Sequence, residues 1–526
     1  MLLGLLLAAA PAGAQEVRVT TMAAPPPAEA PALDVKDNAV QLSLDDAVRI
    51  ALQQNLGLVA ERYTRTQRRL GITQSLGIYD LVANATATAT DARSSPVTNQ
   101  VQGSQRNSQT VAFSFTQRTP TGGDLTVGMD AGRAESNSQF SQALAYSPGL
   151  TFSYDQPLLR DFGRAFNERN IIIARTNSEI SGQEFERQVT LTTQDVVNAY
   201  WALVNAREQL GVAQQSLQLA RDLHDRNRIQ VEVGTMAPLE LTQSEAAIAT
   251  RQEDIIRSTS NVGDAEDNLR RLLNLPAGPL WETPIVPTTK PETERLAINV
   301  DQAIQTAYAE RPELRQQALQ LEQARRDSEY FRNQLKPTLD LHIDYGLSGG
   351  DESFSEALSQ LYGFDFRTWT AQVRFAYPIQ NRAARAQSAI ANLDVDRFQT
   401  LFDQQRVLIS TEVRRAARAV ETAAQQIEAA RISREFQEKN VEAEKKRYEN
   451  GMSSSFQITQ IQDDLTQARS REVAATVNYR TALAEFYRAT GRLLDEHGVA
   501  IDDPADPDYV AQRYSFSRAP LPGEVR

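Results

Sequence analysis

The chain has 526 residues, 55 Lys and Arg against 67 Asp and Glu for a formal charge of −12, and no cysteine. That balance excludes disulfide scaffolds and thiolate metal sites, and it repels nucleic acid, since no local basic stripe offsets it. Apolar residues make up 41% of the chain, yet past the amino terminus no apolar run approaches the roughly 20 residues of a spanning helix, so any membrane crossing must be made by strands.

In chain order, the apolar run Leu2 to Ala10 and the small residues Ala12-Gly13-Ala14 read as an export signal over 1–14, without the usual basic start. Residues 15–41 are a Pro-rich segment, with 15–38 expected to be weakly ordered. A helix is predicted from Ser43 to about Ile78, with Ser43 and Asp46 at its cap. Strands follow between about 81 and 156: Ala83–Ala89 alternates Ala with Asn or Thr, and Leu150–Tyr154 ends just before Pro157. Val111–Phe115 and Leu125–Met129 flank Thr119-Pro120-Thr121-Gly122-Gly123 as a further hairpin, whose membership of the main sheet is open. A long helix from about Ala165 to Val233 breaks at Gly234, and a return helix runs from about Pro238 to Leu275.

Residues 276–297 carry repeated prolines and join this half to the next. The second half, 298–494, opens with a helix from Asn299 to about Leu335, capped by Asn299 with Gln302. Strands are expected within about 338–377, where Leu339–Tyr345 and Val373–Tyr377 alternate. From Asn381 to Asn450 there is neither Gly nor Pro, which predicts an uninterrupted helix of about 105 Å. It breaks at Gly451, and a return helix follows from Ser454 to about Leu494. The tail 495–526 is polar and Pro-rich at its end, and its part from 503 is expected to be weakly ordered.

These halves are one pattern written twice. A shift of 217 residues carries Val196, Ala199, Leu203, Ala206, Leu210 and Ala213 onto Val413, Ala416, Val420, Ala423, Ile427 and Ala430, and Gly234 onto Gly451. The steps of three and four keep an apolar seam facing a neighbouring helix, and the recurring alanines let backbones approach closely. Upstream, Leu44-Asp45 matches Val300-Asp301 at a shift of 256, whereas Pro157-Leu158 matches Pro378-Ile379 at 221. The first repeat therefore holds about 35 extra residues between those anchors, an insertion that a hairpin accepts at small entropic cost.

Chemistry-bearing patterns are scarce. His224, His342 and His497 lack metal-ligand spacing, phosphate-binding glycine loops do not occur, and Ser453-Ser454-Ser455 sits where a helix restarts and reads as a cap. Tyr200-Trp201, Phe398 and Phe402 read as fillers between helices, and Arg414, Arg415 and Arg418 as a solvated face. No enzyme activity, cofactor or metal is expected.

Helix, strands, long helix, glycine turn and return helix, twice over, resemble the TolC family of outer-membrane efflux and secretion ducts. The likeness is carried by Leu44-Asp45-Asp46-Ala47 with Asn55, Val300-Asp301-Gln302-Ala303 with Arg311-Pro312-Glu313-Leu314, Gln156-Pro157-Leu158-Leu159, Ala199–Leu203 and the two glycine turns. The resemblance implies a mostly α fold with a small membrane β-barrel portion: a homotrimer in which each chain gives four strands to a twelve-stranded barrel in outer-membrane lipid. Its long antiparallel helical hairpins would form a periplasmic α-barrel tube. It further implies a periplasmic adaptor and an inner-membrane pump as partners, with Gly234, Thr235, Met236, Gly451, Met452 and Ser453 at the adaptor-contacting tip.

By the same likeness, Glu240 and Tyr448 hold the closed tip through a hydrogen bond. The family's constriction aspartates fall on Gln457 and Gln460, and its basic gate partner on Ser453, which predicts weaker block by multivalent cations. The competing expectation is a periplasmic coiled-coil adaptor or envelope scaffold, which would need no membrane strands. Nothing in the sequence separates drugs, polysaccharides or proteins as cargo.

Overall fold

The computed structural model describes residues 34–36, 39–93, 105–137, 144–276 and 278–501. The expected signal 1–14, most of the Pro-rich segment and the tail beyond 501 lie outside the described residues. The first repeat contains β1 (Asp34–Lys36), β2 (Ala39–Leu42), α1 (Leu44–Gln54), α2 (Leu56–Leu76), β3 (Val82–Arg93), β4 (Gln105–Arg118), β5 (Asp124–Ser136), β6 (Leu144–Pro157), α3 (Arg164–Asn167), α4 (Arg169–Glu232) and α5 (Leu239–Leu273). Then come α6 (Pro279–Glu282), β7 (Ile285–Pro287), α7 (Val300–Glu310), α8 (Pro312–Asn333), β8 (Thr338–Ser348), α9 (Phe354–Gly363), β9 (Phe366–Ala376), α10 (Arg382–Glu449), α11 (Ser455–Thr490) and α12 (Leu493–Glu496).

Each expected opening helix is in fact two, and the sequence holds the reason. Asn55 takes an extended conformation (φ −59°, ψ 122°), and its side chain accepts from the N–H groups of Gly57 and Leu58, so it ends α1 and caps α2. In the second repeat Pro312 occupies the first turn of α8, and Arg311 before it is extended (φ −68°, ψ 122°), the region a residue preceding proline favours.

The long helices α4 and α10 contain 64 and 68 residues. The α10 seam Ile409, Val413, Ala416, Val420 and Ala423 is buried against Tyr479, Leu483 and Phe486 of α11, while Val196, Ala199 and Leu203 of α4 are buried with Leu269, Leu272 and Leu273 of α5. Tyr200 and Trp201, next to that seam, are core fillers as expected. Two tyrosines strap the inter-repeat segment to this core. The Tyr200 hydroxyl donates to Leu42 O (3.1 Å) and accepts from Thr289 N–H (3.0 Å). The Tyr479 hydroxyl donates to Glu294 O (2.5 Å).

Of residues 15–38, expected to be weakly ordered, Asp34–Lys36 are described, and they form a paired strand. β1 pairs antiparallel with β2, and β2 pairs parallel with β7, Val40 opposite Ile285. Val40, Leu42 and Ile285 are buried, so a short apolar alternation inside Pro-rich surroundings was enough to dock both segments on α4.

The main sheet also corrects an expectation, that of four strands per chain. Its order is β3-β4-β5-β6-β8-β9, six strands joined antiparallel throughout. The extra hairpin β4–β5 lies inside the sheet, between β3 and β6. Residues directly opposite in a ladder share a face. One face carries Ala83, Ala85 and Ala87; Val111, Phe113 and Phe115; Leu125, Val127 and Met129; Leu150, Phe152 and Tyr154; Leu341, Ile343 and Tyr345; and Trp369, Ala371 and Val373. The other face carries Thr86, Thr88, Ser114, Thr126, Asp130, Ser153, Asp344, Thr370 and Gln372. On the apolar face Phe115 is 49% exposed, Met129 55% and Trp369 75%. Among the described residues no helix is long and apolar enough to cross a membrane.

Candidate functional site

The two helical hairpins end in the same backbone device. At the first, Gly234 (φ 79°) donates from its N–H to Val231 O (3.0 Å), and Thr235 N–H donates to Gln230 O (2.9 Å). At the second, Gly451 (φ 70°) donates to Tyr448 O (3.0 Å), and Met452 N–H donates to Arg447 O (2.9 Å). Every partner is displaced by 217. The left-handed residue closes both helix ends, and only glycine takes that conformation without a Cβ penalty. Ser454 then caps α11 by accepting from Gln457 N–H (3.3 Å), in keeping with the capping expected of the serine run.

A small apolar core of Leu223, Tyr448 and Ile458, with Met236 packed against it, holds the tips together. Asn227, fully buried, sits beside it. Its Nδ2 donates to Ser455 Oγ (2.9 Å), and its Oδ1 accepts a short hydrogen bond from the Tyr448 hydroxyl. Gln230 Oε1 at 3.4 Å is a second, weaker acceptor for that hydroxyl. One amide on α4 thus ties down both α10 and α11. Burial pushes the Tyr448 phenol above its ordinary range, and the Glu240 charge adds to the shift while Arg226 opposes it. The hydroxyl therefore remains a donor at neutral pH.

The sequence-selected residues divide between surface and core. Gly234, Thr235, Gly451 and Met452 are exposed, with Val233, Leu239 and Phe456 adding exposed apolar side chains beside them. Met236 is half-buried against the tip core rather than free. Ser453 is half-buried, and its hydroxyl donates to Glu444 Oε1, whose other oxygen takes Arg447 at 3.1 Å. Glu240 is half-buried at the start of α5, its Oε2 shielded and without a hydrogen-bond partner. Tyr448 and Glu240 are thus electrostatic neighbours, but within the chain the hydroxyl bonds Asn227. Gln457 and Gln460 are exposed, three residues apart on one face of α11.

Sequence reasoning passed over Asn227 and Glu444, and read Ser455 only as part of a capping run. The signal was there: Asn227 falls four residues after the buried Leu223, and Glu444 four before the buried Tyr448, polar side chains in the phase of an apolar stripe. Such residues fix the register of packed helices. Among the described residues no cluster of His, Asp and Glu is disposed to hold a metal ion.

Comparison with known proteins agrees with this architecture. The sequence matches the outer membrane efflux protein family over residues 82–275 and 303–492. It is 22% identical over 304 residues to the pyoverdine export outer membrane protein OpmQ of Pseudomonas putida, a match spanning 56% of this chain and 61% of that protein. The fold superposes on the CmeC outer membrane channel of Campylobacter jejuni with a TM-score of 0.63 at 15% identity, covering 90% of this chain and 89% of that one. On the open MtrE outer membrane channel of Neisseria gonorrhoeae the TM-score is 0.60 at 16% identity, covering 90% and 99%. With both repeats matched, the chain belongs to the outer membrane efflux protein family.

Proposed function

We propose that the chain is one subunit of a homotrimeric outer-membrane duct, serving a tripartite efflux pump or type I secretion system. It conducts substrate passively from a periplasmic adaptor and inner-membrane pump to the exterior. The observation that carries this reading is the continuous apolar face shared by all six strands of the main sheet above two helical hairpins built on 64- and 68-residue helices. Strands of 11 to 14 residues are long enough to span a bilayer core. A sheet in lipid must have no open edge, so β3 and β9 require other copies. Helices of this length likewise bury their remaining faces only against neighbours in a ring.

At the tips, the exposed Gly234, Thr235, Gly451 and Met452, with Val233, Leu239 and Phe456, form the adaptor-facing surface, and Met236 and Ser453 support it from beneath. Tyr448 and Glu240 belong to the closed gate, and Gln457 and Gln460 line its constriction with neutral amides. Such a ring neither focuses cations nor repels anions as carboxylates would. Gln457→Asp should therefore strengthen block by multivalent cations in planar bilayers.

Fractionation tests the whole reading. The duct stays with the outer membrane after a salt wash and runs as a trimer before heating. Release into the soluble fraction as a monomer would favour a coiled-coil adaptor and overturn the duct.

A further inference from the structure

Resting on the duct reading, we propose that the barrel of this protein is eighteen-stranded, widened by the β4–β5 hairpin, so that its outer-membrane segment has a wider bore than a twelve-stranded pore.

Three observations carry this. First, the hairpin is an interior part of the sheet: β4 pairs with β3 over Gln105–Thr116, and β5 pairs with β6 over Asp124–Glu135. A hairpin folded into the lumen as a plug, or standing off the sheet, would leave β3 against β6. Second, the hairpin obeys the same two-sided code as its neighbours. Phe113 lies opposite both Ala85 and Met129, and Phe115 opposite Ala83 and Val127. Ser114, Thr116 and Thr126 carry the polar side, and Thr116 and Thr126 hydrogen-bond there at 3.1 Å. Phe113, Phe115, Leu125 and Met129 are exposed in the single chain, as lipid-facing residues should be.

Third, the edges match one another. Antiparallel order through six strands makes β3 and β9 run in opposite directions, so β9 of one copy pairs antiparallel with β3 of the next. The two edges have nearly equal length, 12 and 11 residues. An insertion of two strands preserves this parity, whereas one strand would have destroyed closure.

The periplasmic end of the hairpin is also built in. Thr119 N–H donates to Gly123 O (2.7 Å) across the turn, Gly163 N–H donates to Thr121 O (3.0 Å), and the Thr121 hydroxyl donates to Gln156 Oε1 (2.8 Å). The buried Gln156 returns a bond from Nε2 to Thr121 O (3.2 Å). The turn is therefore fixed to the base of β6 and the approach to α4.

Barrel radius grows with strand number. At a strand spacing of about 4.8 Å and a tilt of about 40°, eighteen strands give a backbone radius of about 18 Å, against about 12 Å for twelve. The cross-section roughly doubles.

Two measurements on the full chain test the inference. The natural sequence has no cysteine, so Thr86→Cys combined in turn with Thr368→Cys, Thr370→Cys or Gln372→Cys places single thiols on the polar sides of the two edges. Within one chain those edges are separated by four strands, so an oxidised, reducible trimer ladder in one combination reports β9 to β3 pairing between copies. Electron cryo-microscopy in lipid nanodiscs then counts strands in the wild type and in a variant lacking residues 105–136. Eighteen strands, falling to twelve in the variant with a radius smaller by about one third, supports the inference. If the variant does not assemble, the wild-type count still decides. A wild-type trimer closed by twelve strands, with β4–β5 outside the barrel, overturns the inference and leaves the duct reading intact. No trimer and no ladder overturns both.

Discussion

The opening helix of each repeat breaks at an equivalent place, but the two breaks are held by different chemistry. In the first repeat Asn55 caps α2 and donates from Nδ2 to Leu272 O (3.0 Å) near the end of the return helix. In the second, Arg311 reaches Ala489 O (3.5 Å), the carbonyl 217 residues on from Leu272, and is also paired with Glu313 (2.9 Å) and Glu412 (2.6 Å) while only 4% exposed. One junction is neutral, an amide cap that also bonds the return helix. The other is a buried ion cluster that joins α8, α10 and α11. Duplication conserved the backbone geometry, because each hairpin needs the same turn, and released the side chains to suit different neighbours. The tips repeat the lesson: Asn227 and Glu444 stand 217 residues apart and are both buried, yet Asn227 bonds across the repeats and Glu444 within its own.

The largest expected effect separates the two junctions. Arg311→Ala leaves Glu313 without this cation and Glu412 with only the more distant Arg488 (3.8 Å), both carboxylates partly exposed. It should cost about 3 kcal/mol, the low end for a broken buried pair, whereas Asn55→Ala should cost about 0.5–2 kcal/mol as a lost cap. Thermal dissociation of the oligomer compares them, and equal losses would break the distinction. Acid sharpens it. Burial alone would raise the Glu313 pKa, but the hydrogen bond and charge of Arg311 outweigh it and hold the carboxyl below its ordinary value. That contribution is present above the ordinary carboxylate pKa and is lost as pH falls through the depressed one. The Arg311→Ala variant should therefore lose part of the acid dependence seen in the parent, and Asn55→Ala should keep it.

Next in size is the contrast between the two faces of the sheet. Phe152→Arg puts a cation on the apolar face and should cost about 2–4 kcal/mol near mid-bilayer, read as lost membrane-embedded oligomer. Ser153→Arg, one residue on and facing the polar side, should assemble normally and change only ion selectivity. Similar assembly of both variants would refute the face assignment.

At the tip, Asn227→Ala strands the Tyr448 hydroxyl and Ser455 in a buried setting, at about 1–3 kcal/mol. It should raise closed-state conductance in planar bilayers more than Tyr448→Phe, which removes one hydrogen bond worth about 0.5–1.5 kcal/mol. The raised Tyr448 pKa sets the pH window. The stabilisation is fully present below the ordinary tyrosine value of 10.0 and is lost as pH rises through the higher folded value. Leak that appears in the parent between pH 6 and 8 would count against this contact as the closing element.

The helical architecture was largely legible in the sequence, because Val196, Ala199, Leu203 and their images at 217 spell the seam directly and Gly234 and Gly451 mark the ends. Strand number was not. Val111–Phe115 and Leu125–Met129 were visible as strands, but where a hairpin pairs depends on partners distant in sequence. The polar ends of β4, such as Gln105–Gln109, also hid how long the strands run. The opening-helix breaks were written in Asn55 and in Pro312 and went unread, since propensity on either side favours helix. At the tip the turns were plain, whereas Asn227 and Glu444 were masked by reading the stripe for apolar residues alone.

The central claim is that separate copies close the sheet edges to make one conduit, and the mass of the particle extracted from outer membranes into nanodiscs tests it most directly. Native mass spectrometry should return three chains, which separate only on heating. A particle of one chain, stable without lipid, would contradict the account.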